Sequence, residues 1–123
     1  MMKRILGLLL VLILLASCNE EDPLIYCGTQ NPTEDLPWLK AAIEQAEQSE
    51  LAEYTYVMTG RYQGQSVFIF QSCCPFCNFA IIVLDCQGNS LGVLGSNDGI
   101  AVDDIENLTP IWIPANSVCQ INS

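Results

Sequence analysis

The densest chemistry in the chain lies in Phe70-Gln-Ser-Cys-Cys-Pro-Phe-Cys-Asn-Phe79, which brings Cys73, Cys74 and Cys77 close together. Three chemistries use cysteines at this spacing. Cys74-Pro75-Phe76-Cys77 is a C-x-x-C, the arrangement of thiol–disulfide exchange, where a helix N-terminus following the first cysteine stabilises the thiolate. Here Asn78 to Leu84 is aromatic and β-branched and reads as a strand, with no lysine or histidine beside it. A zinc site needs four ligands, and a chain without histidine must draw them from cysteines and carboxylates. The third chemistry is structural: disulfides that lock a hairpin tip and present Pro75-Phe76.

Other reaction chemistry is thinly supported. Without histidine, Ser-His-Asp and Cys-His arrangements cannot form. The sequence carries neither a phosphate-binding G-x-x-x-x-G-K-[ST] nor a dinucleotide fingerprint. Glycosidase-type carboxylate pairs remain open on composition. Glu53, Asp85 and the Asp98–Glu106 group nevertheless fall at expected strand ends and loops, from which no cleft follows. Asn97-Asp98-Gly99 with Asp103, Asp104 and Glu106 is an oxygen-rich loop of the kind calcium uses, although its spacing misses the EF-hand. The competing reading is a turn with solvated acids. No catalytic residue, metal or cofactor is assigned, and a non-enzymatic protein is expected.

The compartment decides how the cysteines are read, and the N-terminus addresses it. Lys3 and Arg4 precede an apolar stretch from Ile5 to Ala16. A membrane span needs about 20 apolar residues, so this stretch has the length of a signal-peptide core. Leu15-Ala16-Ser17-Cys18 resembles the lipobox of bacterial lipoproteins. That resemblance implies a cleaved signal peptide over 1–17 and acylation of Cys18, which becomes the first residue of the mature chain. Asn19-Glu20-Glu21-Asp22 then reads as a solvated acidic tether, expected over 18–32. It also resembles the short acidic signals that send Bacteroidetes lipoproteins to the outer face of the outer membrane.

About 105 residues follow the leader, enough for one small domain with one core, expected over 33–123. A domain of this size gains from disulfides, and six of the seven cysteines lie beyond Cys18: Cys27, Cys73, Cys74, Cys77, Cys86 and Cys119. An even number in an exported chain reads as a disulfide framework. Net charge is −10, and only Lys40 and Arg61 are basic after the leader. Such a surface repels nucleic acid, whose binding rests on cations at phosphates. The acidity reads as solubility and self-repulsion, or as a match for a cationic or calcium-bearing partner.

The elements that must position the cysteines follow from periodicity. Leu36, Leu39, Ala42, Ile43 and Ala46 recur at helical spacing, which predicts a helix over 36–48, capped by Thr33 or Asp35. Trp38 is a core anchor or a lid on the helix–sheet seam. Tyr54, Tyr56 and Met58 alternate as in a half-buried strand, and Gln63-Gly64 suits a tight turn into Val67–Phe70. Phe79-Ala-Ile-Ile-Val-Leu84 predicts a central strand buried on both faces. A turn at Gln87–Asn89, a short strand over 91–94, a polar loop over 95–107 and a last strand over 109–113 complete the pattern. The expected fold is α+β: one N-terminal helix on an antiparallel meander of four to five strands, stapled by disulfides.

In that hairpin Cys86 lies about 20 Å from the tip at ~3.3 Å per residue, too far to bridge to it. Its candidate partners are Cys119 and Cys27. The expected assignment is Cys86–Cys119, with Cys27 joined to Cys73 or Cys74.

Asp35-Leu-Pro-Trp-Leu39 opening a helix, the Cys73-Cys74 pair after an aromatic strand, and Asp85-Cys86-Gln-Gly-Asn89 at a turn form a set. With the lipobox, they make the chain resemble small Bacteroidetes lipoproteins of an uncharacterised domain family; Cys77 is an addition to the pattern. The resemblance implies a shared fold and no activity. The function expected is a lipid-anchored interaction or structural module of the bacterial cell envelope, held through Cys18 at the outer membrane and contacting an envelope or extracellular protein. Two alternatives stand beside it: a thiol–disulfide protein using Cys74 and Cys77, and a binder or inhibitor of a secreted enzyme through the Cys73–Cys77 loop.

Overall fold

A computed structural model describes residues 25–121. The leader, the lipobox with Cys18 and the acidic run over 19–22 lie outside them. Two helical segments come first, α1 (Pro32–Asp35) and α2 (Pro37–Glu47). The break between them has a covalent cause. Leu36 precedes Pro37, and a residue before proline is pushed out of the helical region; Leu36 sits at φ −98°, ψ 105°. The helix is therefore one turn longer at its start than the periodicity predicts, and interrupted. Neither Thr33 nor Asp35 caps it: Thr33 lies inside α1, and Asp35 accepts a hydrogen bond from the Thr29 hydroxyl.

Five strands follow: β1 (Thr55–Tyr62), β2 (Gln65–Ser72), β3 (Ile82–Leu84), β4 (Ser90–Val93) and β5 (Ile105–Trp112). All pairings are antiparallel, in the order β4-β3-β2-β1-β5. The fold is α+β, as expected. Four strands form the meander, joined first by the Gln63-Gly64 turn, whose residues take φ of 51° and 80° as a two-residue hairpin requires. The fifth departs from it. After β4 the chain crosses the sheet and lays β5 against β1, and the strand begins at Ile105, four positions earlier than expected at 109.

That crossover explains the burial of β2. On one face, Leu39 and Ile43 of α2 pack with Tyr26, Val57 and Phe68. On the other, Val67, Ile69 and Val83 are covered by Ile100 and Ile105. The 95–107 stretch, polar on average, thus supplies two core residues and the start of a strand. Val67, Phe68 and Ile69 need no alternation because both faces are covered there. The buried Thr59 hydroxyl donates to the Val67 carbonyl at 2.9 Å, so this polar group is satisfied.

Two further expectations are corrected. The run Phe79–Leu84 is not a central strand; β3 spans only Ile82–Leu84 and lies second from the edge. Phe79 and Ile82 are 53% and 42% exposed. Residues 25–31, expected in the tether, are folded: Tyr26 is 6% exposed in the core, and Tyr26 and Thr29 exchange backbone hydrogen bonds of 2.9 and 3.1 Å. Apolar burial of a single tyrosine outweighs the polar neighbours that made the segment look solvated.

Candidate functional site: the disulfide-locked tip and the groove beside it

All six cysteines among the described residues are paired, as Cys27–Cys86, Cys73–Cys119 and Cys74–Cys77. The expected Cys86–Cys119 bond, and Cys27 on Cys73 or Cys74, are therefore corrected. The hairpin geometry did keep Cys86 from the tip, but the crossover reverses which terminal segment reaches which end. With β5 beside β1, the chain after Trp112 returns to the start of β1, where the Val118 amide donates to the Glu53 carbonyl at 3.0 Å. Cys119 thus arrives next to Cys73, whose amide bonds the Tyr54 carbonyl at 2.9 Å. Cys27 comes to the opposite end of the sheet, its amide donating to the Ser66 hydroxyl at 3.1 Å.

The Cys27–Cys86 end is a lock. Asp85 accepts from the Gln87 and Asn89 amides, both at 2.9 Å, and fixes a tight turn in which Gly88 takes φ +82°. Trp38 lies over that turn. Its indole N–H donates to the Cys86 carbonyl at 2.7 Å, and its ring meets Phe68 edge-on at 5.7 Å. A Cβ on Gly88 would stand 2.9 Å from the Trp38 ring. The sequence motifs around Trp38 and around Asp85–Asn89 therefore meet in space, and they hold the helix on the sheet.

The other end is presented rather than packed. Cys73, through Cys119, fixes the base of the loop, and Cys74–Cys77 closes a turn over Pro75-Phe76. The Cys74 amide bonds the Ser72 hydroxyl at 3.2 Å. Phe76 is 72% exposed, and its ring meets Tyr54 edge-to-face with centroids 5.7 Å apart. After Cys77 the chain runs without regular structure to Ile82, so no helix N-terminus follows Cys74. Of the two basic side chains among the described residues, Lys40 pairs with Glu34 at 3.3 Å, and Arg61 lies over Tyr26 and donates to the Ile25 carbonyl. Neither faces the loop cysteines through any of these contacts.

Beside the tip is a groove of about 500 Å³. Ala42, Gln45, Ala46 and Ser49 form one wall, Phe79 to Ile82 with Leu84 form the other, and Phe70 lies between them. Sequence reasoning missed this groove. Its one signal was the apolar run Phe79–Leu84, longer than the strand that could bury it.

The acidic residues do not converge. Asp98, Asp103, Asp104 and Glu106 are exposed, and among the described residues no three histidine, cysteine or acidic side chains stand where they could hold a metal ion. A smaller hollow of about 270 Å³ carries Glu34, Glu44 and Glu47 beside Lys40, all exposed. Among the described residues no helix is long and apolar enough to cross a membrane. Compared with protein-family models, curated proteins and solved structures, the chain matches none of them.

Proposed function

We propose that the protein is a non-enzymatic, lipid-anchored module of the bacterial cell envelope that binds another protein through the Cys73–Cys77 tip. The leader and the lipobox ending at Cys18 support the anchor and the envelope, and the acidic run after it favours the outer membrane and its outer face. The resemblance to small Bacteroidetes lipoproteins agrees with both. One observation carries the binding reading: a large aromatic, Phe76, is held in solvent by a turn closed with its own disulfide. Closing a loop in advance removes ordering cost from the bound state, and aromatic anchors dominate binding energy.

The test is crosslinking in intact envelopes with the full-length lipidated chain. The expected result is a crosslinked protein partner that disappears with Phe76→Ala, while mass mapping still finds all three disulfides. A partner captured equally well by Phe76→Ala would overturn the reading, as would turnover of a substrate that depends on Cys74 or Cys77.

A further inference from the structure

We infer that Cys74–Cys77 is a thiol-exchange site: a dithiol reductant opens this bond ahead of the other two, and opening it releases Phe76 from its presented position. This rests on the interaction reading above and gives that tip a redox control. The dithiol acts on the protein and is not a substrate that the protein turns over.

The other two bonds join positions that the fold holds without help from sulfur. The Cys73 amide bonds the Tyr54 carbonyl at 2.9 Å and the Val118 amide bonds the Glu53 carbonyl at 3.0 Å, so both ends of Cys73–Cys119 rest on the start of β1. The Cys119 Sγ itself lies 3.4 Å from the Tyr54 carbonyl oxygen. At the far end of the sheet, the Cys27 amide bonds the Ser66 hydroxyl and the Cys86 carbonyl accepts the Trp38 N–H. Thiols kept side by side by their surroundings re-form their bond at high effective concentration, and such a bond resists reduction.

The tip pair has no comparable support. The Cys74 amide reaches back to the Ser72 hydroxyl at 3.2 Å. Among the described residues no hydrogen bond ties Cys77, Asn78, Phe79 or Ala80 to the sheet. The next fixed point is Ile81, whose carbonyl accepts from the Leu94 amide at 2.7 Å. Between Cys73 and Ile81 the chain has no regular strand or helix, and Cys74–Cys77 is its cross-brace. Exposure does not set the order of reduction, because Cys73 is exposed as well. What the fold holds in place sets it.

The step balances as an exchange. A thiolate of the reductant bonds to one tip sulfur, the Cys74–Cys77 bond breaks, and the other tip sulfur leaves as a thiolate and takes up a proton. The second thiol of the reductant then displaces the first tip sulfur, which is protonated in turn. Two electrons pass to the tip, and the dithiol becomes a disulfide. In the open loop no covalent closure fixes Phe76 beside Tyr54, and a partner must order it anew.

The experiment takes the full oxidised chain, in a neutral detergent at neutral pH, through rising ratios of reduced to oxidised dithiothreitol. Free thiols are trapped with iodoacetamide and located by peptide mass mapping. Cys74 and Cys77 are expected to be half-reduced at a ratio at least about tenfold lower than either other pair. In the same samples the ring-to-ring nuclear Overhauser effect between Tyr54 and Phe76 is lost, while the amide shifts of β1 and β2 stay. Cys74→Ser with Cys77→Ser reproduces that loss without reductant or alkylation. In intact envelopes this double variant lowers the Phe76-dependent crosslink at least about tenfold. Reduction of all three pairs at one ratio overturns the inference, as does reduction of the tip last or a Tyr54–Phe76 contact that survives opening. A crosslink at full strength in the double variant removes the redox control and leaves the tip's binding standing. Absence of any Phe76-dependent crosslink in the oxidised chain overturns the binding reading, and the control with it.

Discussion

At the scale of single residues, two aromatic side chains divide the labour. Trp38 is structural: it bonds the Cys86 carbonyl, packs on Phe68 and covers Gly88. Phe76 contributes little to the fold, with most of its surface in water. Gly88→Ala faces a double penalty, because the added methyl must occupy a positive-φ backbone and the space of the Trp38 ring. It is expected to lose about 1–3 kcal/mol in urea denaturation of the oxidised protein. Phe76→Ala is expected to stay within about 0.5 kcal/mol in the same measurement. A reversed order would mean that the tip is part of the core. The turn at Gln87–Asn89 was legible from its residue types. The contact was not, since Trp38 and Cys86 are 48 positions apart and no local pattern links them.

At the scale of elements, the disulfides differ in what they close. Cys27–Cys86 and Cys73–Cys119 span 59 and 46 positions, whereas Cys74–Cys77 spans 3. Cross-linking stabilises mainly by restricting the unfolded chain, and the effect grows with loop length. Replacing both cysteines of either long-range bond by serine is expected to cost about 4 kcal/mol, and doing so at Cys74 and Cys77 about 2 kcal/mol or less. Chemical denaturation of the three double variants measures this. A tip pair as costly as the others would show that the loop supports the sheet and is not merely shaped by its own bond. The same scale shows how far sequence reading reaches. The helix follows from its period and β2 from its density of β-formers; β1 lies where its residues suggest, but its buried side is that of Val57 and Thr59, not that of Tyr54, Tyr56 and Met58. β5 was misplaced because its neighbour is set by the crossover, whose anchors Ile100 and Ile105 are single apolar residues in a polar stretch. The Phe79–Leu84 run misled for a more useful reason. Consecutive apolar residues suit a doubly buried strand, but here five of the six line an open groove.

At the scale of the whole molecule, charge and the proposed lipid anchor are separate devices. The chain carries a net charge of −10, with only Lys40 and Arg61 basic beyond Arg4, which gives the domain no attraction to anionic lipid, whose surface draws lysine and arginine. Under the proposed function, residence at the membrane rests on covalent lipid. In the proposed lipoprotein, acyl chains on Cys18 supply it: each buried methylene contributes about 0.8 kcal/mol, so one chain holds marginally and several hold durably. The folded domain begins by Tyr26, so few residues separate Cys18 from the core. In the proposed lipoprotein, so short a connection would keep the domain near the bilayer. Cys18→Ala is therefore expected to move the protein wholly from the membrane to the soluble fraction, with no intermediate bound state at low salt and no incorporation of labelled palmitate. The six paired cysteines and the Trp38 lock should be unaffected, because none of them involves Cys18. Retention of Cys18→Ala on membranes at low salt, released by high salt, would reveal an electrostatic contact that the charge of this domain argues against.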